Sequence, residues 1–202
     1  MKTITKLIVL LMLVSLAPSA YAQANSKQVK YTFDKDSKIS IDGTSTIHDW
    51  TCEVEKFDGT FTVDPLSTAK NLAISAGKLV VKIDDIECGK GAMNKKLRAA
   101  LSGNKADNVT FTLASTTPKS KADGTVGLGL TGSLKIAGVS KSVEMDATAK
   151  YTQNDLVQLE GFLSLDMTDY GVDPPTAILG TLHTGDKVTV RFVVTAHPDP
   201  NL

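Results

Sequence analysis

Ser45, His48 and Asp49 are the residue types of a hydrolytic relay, and they fall within one short stretch of the chain. In such a relay a base takes the proton of a nucleophilic hydroxyl, and an acid orients the base from its far side. A short extended segment does not reach that geometry readily. His48 and Asp49 are adjacent, and successive side chains of a strand point to opposite faces. No Ser stands at a strand-turn-helix elbow of the Gly-x-Ser-x-Gly kind. The same residues suit a turn, in which Ser, Thr and Asp satisfy nearby backbone groups. No catalytic residue is therefore expected, and the chain does not read as an enzyme.

Two other patterns could carry chemistry. Gly127-x-Gly129-x-x-Gly132 matches a dinucleotide fingerprint in its letters. That fingerprint must close a strand and open a helix. Here the glycines alternate with Val126, Leu128 and Leu130 inside a strand pattern, so they mark bending or a close backbone approach. The three histidines, His48, His183 and His197, lack metal-ligand spacing, and the two cysteines are far apart. A zinc site is not expected, and no cofactor is implied.

The elements that must position these residues are strands. The stretch from Gly43 to Cys52 holds the only Trp of the chain. Apolar residues alternate on both sides of it. Ile39 and Ile41 share one parity, then Trp50, Cys52 and Val54, and then Phe57, Gly59, Phe61 and Val63 on a shifted one. Alternation marks a half-buried strand, and a shift of parity marks a β-bulge that bends it. Strands are predicted at 29–33, 38–45 and 50–63, and over 71–86, where Leu79, Val81 and Ile83 alternate with Lys78, Val80 and Lys82. The period then changes. Met93, Leu97 and Leu101 recur every fourth residue, with Lys95, Lys96 and Arg98 between them. This predicts one short amphipathic helix, stopped at Ser102-Gly103-Asn104. With Lys90, its basic side reads as a solvated face, an anionic headgroup or membrane surface being the alternative contact.

Strand signals then continue. They run through Val109, Phe111 and Leu113; Val126 to Ile136; a turn at Ala137-Gly138; Val143 to Ala149; Leu159 to Met167; and Val188 to Ala196. Asp173-Pro174-Pro175 opens an irregular segment in which a helical turn towards Leu179 is expected. About eight strands, one helix and no βαβ rhythm point to an all-β antiparallel barrel or sandwich. Long strands with one apolar face suit a closed barrel, which either fills its interior or holds one small ligand.

The chain has 202 residues, enough for one domain or two. Its 22 basic and 22 acidic residues, with few aromatics, argue against a nucleic-acid partner. Lys2 and Lys6, the apolar run Leu7 to Leu16, and Ala20-Tyr21-Ala22 have the layout of a secretory signal peptide. Cleavage is expected between Ala22 and Gln23, giving a signal peptide at 1–22 and one domain at 23–202. Removing Lys2 and Lys6 leaves 20 basic against 22 acidic residues. Stable membrane insertion of the mature chain is not expected. The compartment expected is the periplasm or the outside of the cell.

Several patterns together resemble the YceI-like family of exported lipid- or polyisoprenoid-binding proteins. They are Ser37 to Ile41 with Gly43 to Trp50 and Phe57 to Phe61; Asn108 to Leu113; Thr131 to Val143; and Asp169-Tyr170-Gly171-Val172, followed by the strand Val188 to Ala196. The resemblance covers nearly all of the mature chain, in order. It implies a lipocalin-like barrel with an elongated apolar cavity and no catalytic residues. It implies a long amphiphile as partner: a polyprenyl chain, an isoprenoid quinone or a fatty-acid derivative. A homodimer is left open. One departure is that Thr168 stands before Asp169, where the family has a basic residue. Cys52 and Cys88 resemble the feature of a subgroup.

In a barrel, the apolar parity of each strand faces inward. That names Phe61, Leu79, Val81, Phe111, Leu113, Leu128, Leu134, Met145, Leu163, Leu165, Val190 and Phe192 as ligand-facing. Trp50, His48 and Tyr170 are expected at the mouth. The rival is an envelope stress or interaction module whose barrel is filled by its own side chains. Export and neighbouring strand ends also predict a Cys52–Cys88 disulfide, with two buried thiols as the alternative.

Overall fold

A computed structural model describes residues 28–64, 66–68, 71–102, 106–121, 125–152, 155–177 and 181–199. The expected cleavage site between Ala22 and Gln23 lies outside them, as do Gly103 and Asn104.

The alternating segments form an up-and-down meander. β1 (Val29–Phe33) and β2 (Lys38–Ser45) are two halves of one bent strand, and β3 (Trp50–Val54) and β4 (Asp58–Val63) are two halves of the next. The break at 55–57 is where the parity shifts. Tyr31 stands opposite Phe61, and Ile41 opposite Cys52. The third strand is β5 (Ile74–Lys82), a 3-10 turn at Ile83–Asp85, and β6 (Ile86–Glu87). Helix α1 (Gly91–Leu101) follows, on the predicted residues. Four long strands come next: β7 (Asn108–Ser120), β8 (Val126–Ile136), β9 (Val139–Tyr151) and β10 (Val157–Asp166). A second 3-10 turn, Met167–Tyr170, and the two-residue β11 (Thr176–Ala177) lead to β12 (Leu182–Pro198).

β12 pairs with β10 on one side and with both β1 and β2 on the other, all antiparallel. This closes a ring of eight: β1, β4, β5, β7, β8, β9, β10 and β12. The fold is the expected all-β antiparallel barrel, with one α-helix among the described residues. Ala137 and Gly138 both take positive φ, 47° and 85°, as a two-residue hairpin turn that matches strand twist requires. One expectation is corrected. Up to Ala177 the segment after the prolines is not helical: a 3-10 turn lies ahead of them at Met167–Tyr170, Thr176 and Ala177 are extended against His183 and Leu182, and Leu179 lies outside the described residues. A residue before proline is driven out of the α region, so Asp173-Pro174-Pro175 favours extended chain.

The interior is unequal from end to end. At the end where β4 leads to β5, β7 to β8 and β9 to β10, it is solid. Tyr31, Val63, Leu72, Val126, Leu128, Ala149, Val157 and Ala196 meet there, none more than 5% exposed. Small and branched side chains let opposite walls touch across the narrow lumen, and Leu72, from the segment before β5, covers that end. The expected alternatives, a filled barrel and a hollow one, each hold for part of this barrel.

Candidate functional site: an apolar cavity closed at one end

Beyond the floor the lumen is empty. A cavity of about 510 Å³ begins at Leu130, Met145, Leu159 and Val194 and runs to the opposite rim. The alternation along each strand decides which side chains reach it. Phe61, Leu79, Val81, Phe111, Leu113, Leu134, Met145, Leu163, Leu165, Val190 and Phe192 all line it. Leu128 does not. It is 1% exposed and packed into the floor, two residues deeper on β8 than Leu130. Parity assigns a face of the sheet, whereas depth depends on register around the ring.

The lumen stays open because its aromatic rings lie against the wall. Trp50 packs on Gly43, Phe33 on Gly59, Phe111 on Gly132 and Phe192 on Gly161. Gly43 and Trp50 are direct cross-strand partners, as are Gly161 and Phe192. A Cβ at Gly132 would stand 2.5 Å from the Phe111 ring and 2.6 Å from the Thr112 carbonyl oxygen. This is the close approach expected of that glycine. Deeper in, Phe61 stacks on Tyr31, centroids 5.1 Å apart, and so rests on the floor.

The rim is built from the turn between β2 and β3, from α1, and from the start of β12. Ile47, at the tip of the turn, is 64% exposed and still borders the cavity. The Ser45 hydroxyl donates to the His48 carbonyl at 2.7 Å and accepts from the His48 and Ile47 amides. The His48 ring Nδ1 lies 2.8 Å from the Asp49 main-chain oxygen. Ser45 thus meets the backbone of His48, and His48 the backbone of Asp49; the side chains form no relay. The Trp50 indole N–H donates to the Thr44 carbonyl at 3.0 Å, which fixes the ring at the mouth.

Helix α1 lies over the rim. Ala92, Met93, Leu97, Ala100 and Leu101 face the cavity. The Cys52–Cys88 disulfide joins the chain just before α1 to β3. The buried Asn94 accepts from the Cys88 amide at 2.7 Å and donates to Glu87. The Arg98 guanidinium meets Glu87 and Asp84. Part of the predicted solvated face is therefore a latch onto the segment before the helix.

Tyr170 borders the cavity, but from within its side wall. It is 2% exposed and packs with Leu134, Ala137 and Val172 in the side wall. The 3-10 turn folds it inward, and Gly171, at φ +68°, returns the chain. Burial, helped by the Asp169 charge, pushes its phenol pKa up. Thr168 fastens this turn: its amide and hydroxyl both donate to Asp186, at 2.9 and 2.6 Å. Those two bonds, the hydroxyl's foremost, hold the Asp186 carboxyl below the usual carboxylate range. Asp169 pairs with Lys141 at 2.8 Å.

Sequence reasoning missed Phe33, Ile39 and Ile41 on the wall and His183 on the rim, and it had Lys96 at a headgroup only as the alternative to a solvated face. The parity of Ile39 and Ile41 carried the signal for the first group. His183 sits ahead of the register shift between Thr184 and Val188, outside the clean alternation of β12, and no pattern marks it.

A family model described as the YceI-like domain matches residues 25–196. No curated protein sequence matches the chain. Solved structures share the fold. BcnA of Burkholderia cenocepacia is 16% identical, with a TM-score of 0.62 over 79% of this chain and 95% of its own. A polyisoprenoid binding domain from Saccharophagus degradans is 14% identical, with a TM-score of 0.61 over 84% and 98%. A Campylobacter jejuni YCEI protein is 18% identical, with a TM-score of 0.57 over 74% and 85%.

Proposed function

Because this chain belongs to the YceI-like domain family, we propose that it holds one long apolar chain, such as a polyisoprenoid, an isoprenoid quinone or a fatty-acid derivative, for transport or storage. The observation that carries this reading is an apolar cavity of about 510 Å³ with a solid floor, whose rim carries His48, Lys96 and His183. Burial of each methylene contributes about 0.8 kcal/mol, so a flexible hydrocarbon needs no polar partner inside. The polyisoprenoid binding named for the Saccharophagus degradans domain supports the same ligand class. The protein acts as a binder without chemistry. It is exported to the periplasm or beyond after loss of residues 1–22.

Native mass spectrometry of the exported protein tests this. The expected result is an adduct of lipid mass that is lost on delipidation, and rebinding of a long-chain probe. A protein that folds by circular dichroism, carries no adduct and binds no long-chain probe would instead be an envelope interaction module.

A further inference from the structure

We infer that the mouth selects a single-tailed amphiphile with an anionic head, a carboxylate or a phosphate, held by Lys96 and His183. This rests on the cavity reading above and adds the chemistry of the head to it. No Asp or Glu is among the described residues that line the cavity. Its titratable lining is His48, Lys78, Lys96, Tyr170 and His183. Tyr170 is buried in the side wall, and Lys78 is exposed on the outward parity of β5, in register with Thr60 and Thr112. The other three are bases, and they converge on the rim from three elements.

The backbone holds them together. The Thr46 amide donates to the His183 carbonyl at 3.0 Å, and the His183 amide donates to the Thr46 hydroxyl at 2.9 Å. This ties the turn that bears His48 to the start of β12. Thr176 is in register with His183, and its carbonyl accepts from the Lys96 ammonium. One of three ammonium donors is thus used, which leaves two for a ligand. Among the described residues Lys96 pairs with no carboxylate, unlike Arg98 on the same helix. The His183 ring likewise has no hydrogen-bond partner there. A charged head cannot be taken into the apolar lumen without its partners, and the floor closes the far end. The head must therefore stop at these bases. The volume lies within the range of small-molecule pockets, about 300–1,000 Å³, and suits one chain.

The test uses delipidated mature protein loaded with the neutral dye N-phenyl-1-naphthylamine. Hexadecanoate, hexadecyl phosphate, hexadecanol and hexadecyltrimethylammonium compete with it. A charge-assisted hydrogen bond at a wet rim should let the anions compete at roughly five- to tenfold lower concentration than the alcohol. Salt should narrow that gap. Lys96→Gln with His183→Gln should reduce the gap between anions and hexadecanol to under about twofold, through a larger loss for the anions than for the alcohol. Lys96→Arg should restore most of it, which separates charge from folding. The inference is overturned if the alcohol or the ammonium competes as well as the anions, or if the gap survives the double substitution. If hexadecanol itself fails to displace the dye, the cavity reading falls and this inference falls with it. Preference between the carboxylate and the phosphate distinguishes the two kinds of head.

Discussion

The indole of Trp50 lies flat on Gly43, its cross-strand partner, so closely that a Cβ at position 43 would stand 2.2 Å from the ring. The nearest atoms all belong to that ring, so a Gly43→Ala change must be absorbed by moving it. Forced overpacking of this kind costs typically about 1–3 kcal/mol. Trp50 is the only Trp, so intrinsic fluorescence reports on it alone. Gly43→Ala should shift the emission and weaken binding of a long-chain probe. An unchanged spectrum and unchanged stability would show that the ring does not need the glycine.

Leu128 and Leu163 have the same parity relation to the barrel but different neighbours. Leu128→Ala leaves a void in the solid floor and should cost about 2–5 kcal/mol in chemical denaturation. Leu163 already borders empty space, so Leu163→Ala should cost less than Leu128→Ala. Leu163→Asp should abolish probe binding, whereas Thr189→Asp, on the outer face, should leave it intact. Equal destabilisation by the two alanine changes would count against a floor at Leu128.

The disulfide closes a sequence separation of 36 residues. In the chain-entropy model a loop of that length stabilises by roughly 4 kcal/mol. Cys52→Ser with Cys88→Ser should lower the unfolding midpoint accordingly and raise hydrogen exchange in α1. Two thiols that label in denatured, unreduced protein would refute the bridge.

From Gln23 onward the tyrosines are Tyr31, Tyr151 and Tyr170. All three phenols are pushed up by burial first, Tyr31 and Tyr151 also by the Asp155 charge, and Tyr151 reaches about 12. The unfolded chain ionises near the ordinary value of 10.0 while the folded chain keeps its protons. The stability held in the neutral phenols is therefore fully present below that value and is lost as pH rises towards 12. Ultraviolet difference absorbance should show phenolate appearing late in the folded protein and at the ordinary value in denaturant. Coincident titrations would contradict this.

Cleavage after Ala22 should make Gln23 the first residue of the exported protein. Intact mass or N-terminal sequencing decides it; a chain that retains Leu7 to Leu16 would be membrane-anchored.

The inward face of every strand could be read from alternation, as in Val188 to Ala196, because a barrel has one dry side. Depth could not. Leu128 and Leu130 look alike in sequence, and only the stagger of β8 against β7 and β9 places one in the floor and the other on the wall. The close approach at Gly132 was legible, but its partner Phe111 sits on a different strand. Tyr170 borders the cavity, but its burial in the side wall comes from a 3-10 turn that neither period shows. Lys96 and His183 come together through a two-residue bridge at Thr176 and Ala177, too short to leave a pattern.

On the proposed function, the solid floor also bears on exchange. A vessel with a single door is emptied by the route through which it is filled. An incoming chain cannot push the resident one out from behind; it must wait until the lumen is vacant. Turnover of cargo is then set by how fast the resident leaves, and raising the supply of a competitor does not hasten it. Only a surface that acts on the rim itself, at Ile47 or α1, can shorten the wait.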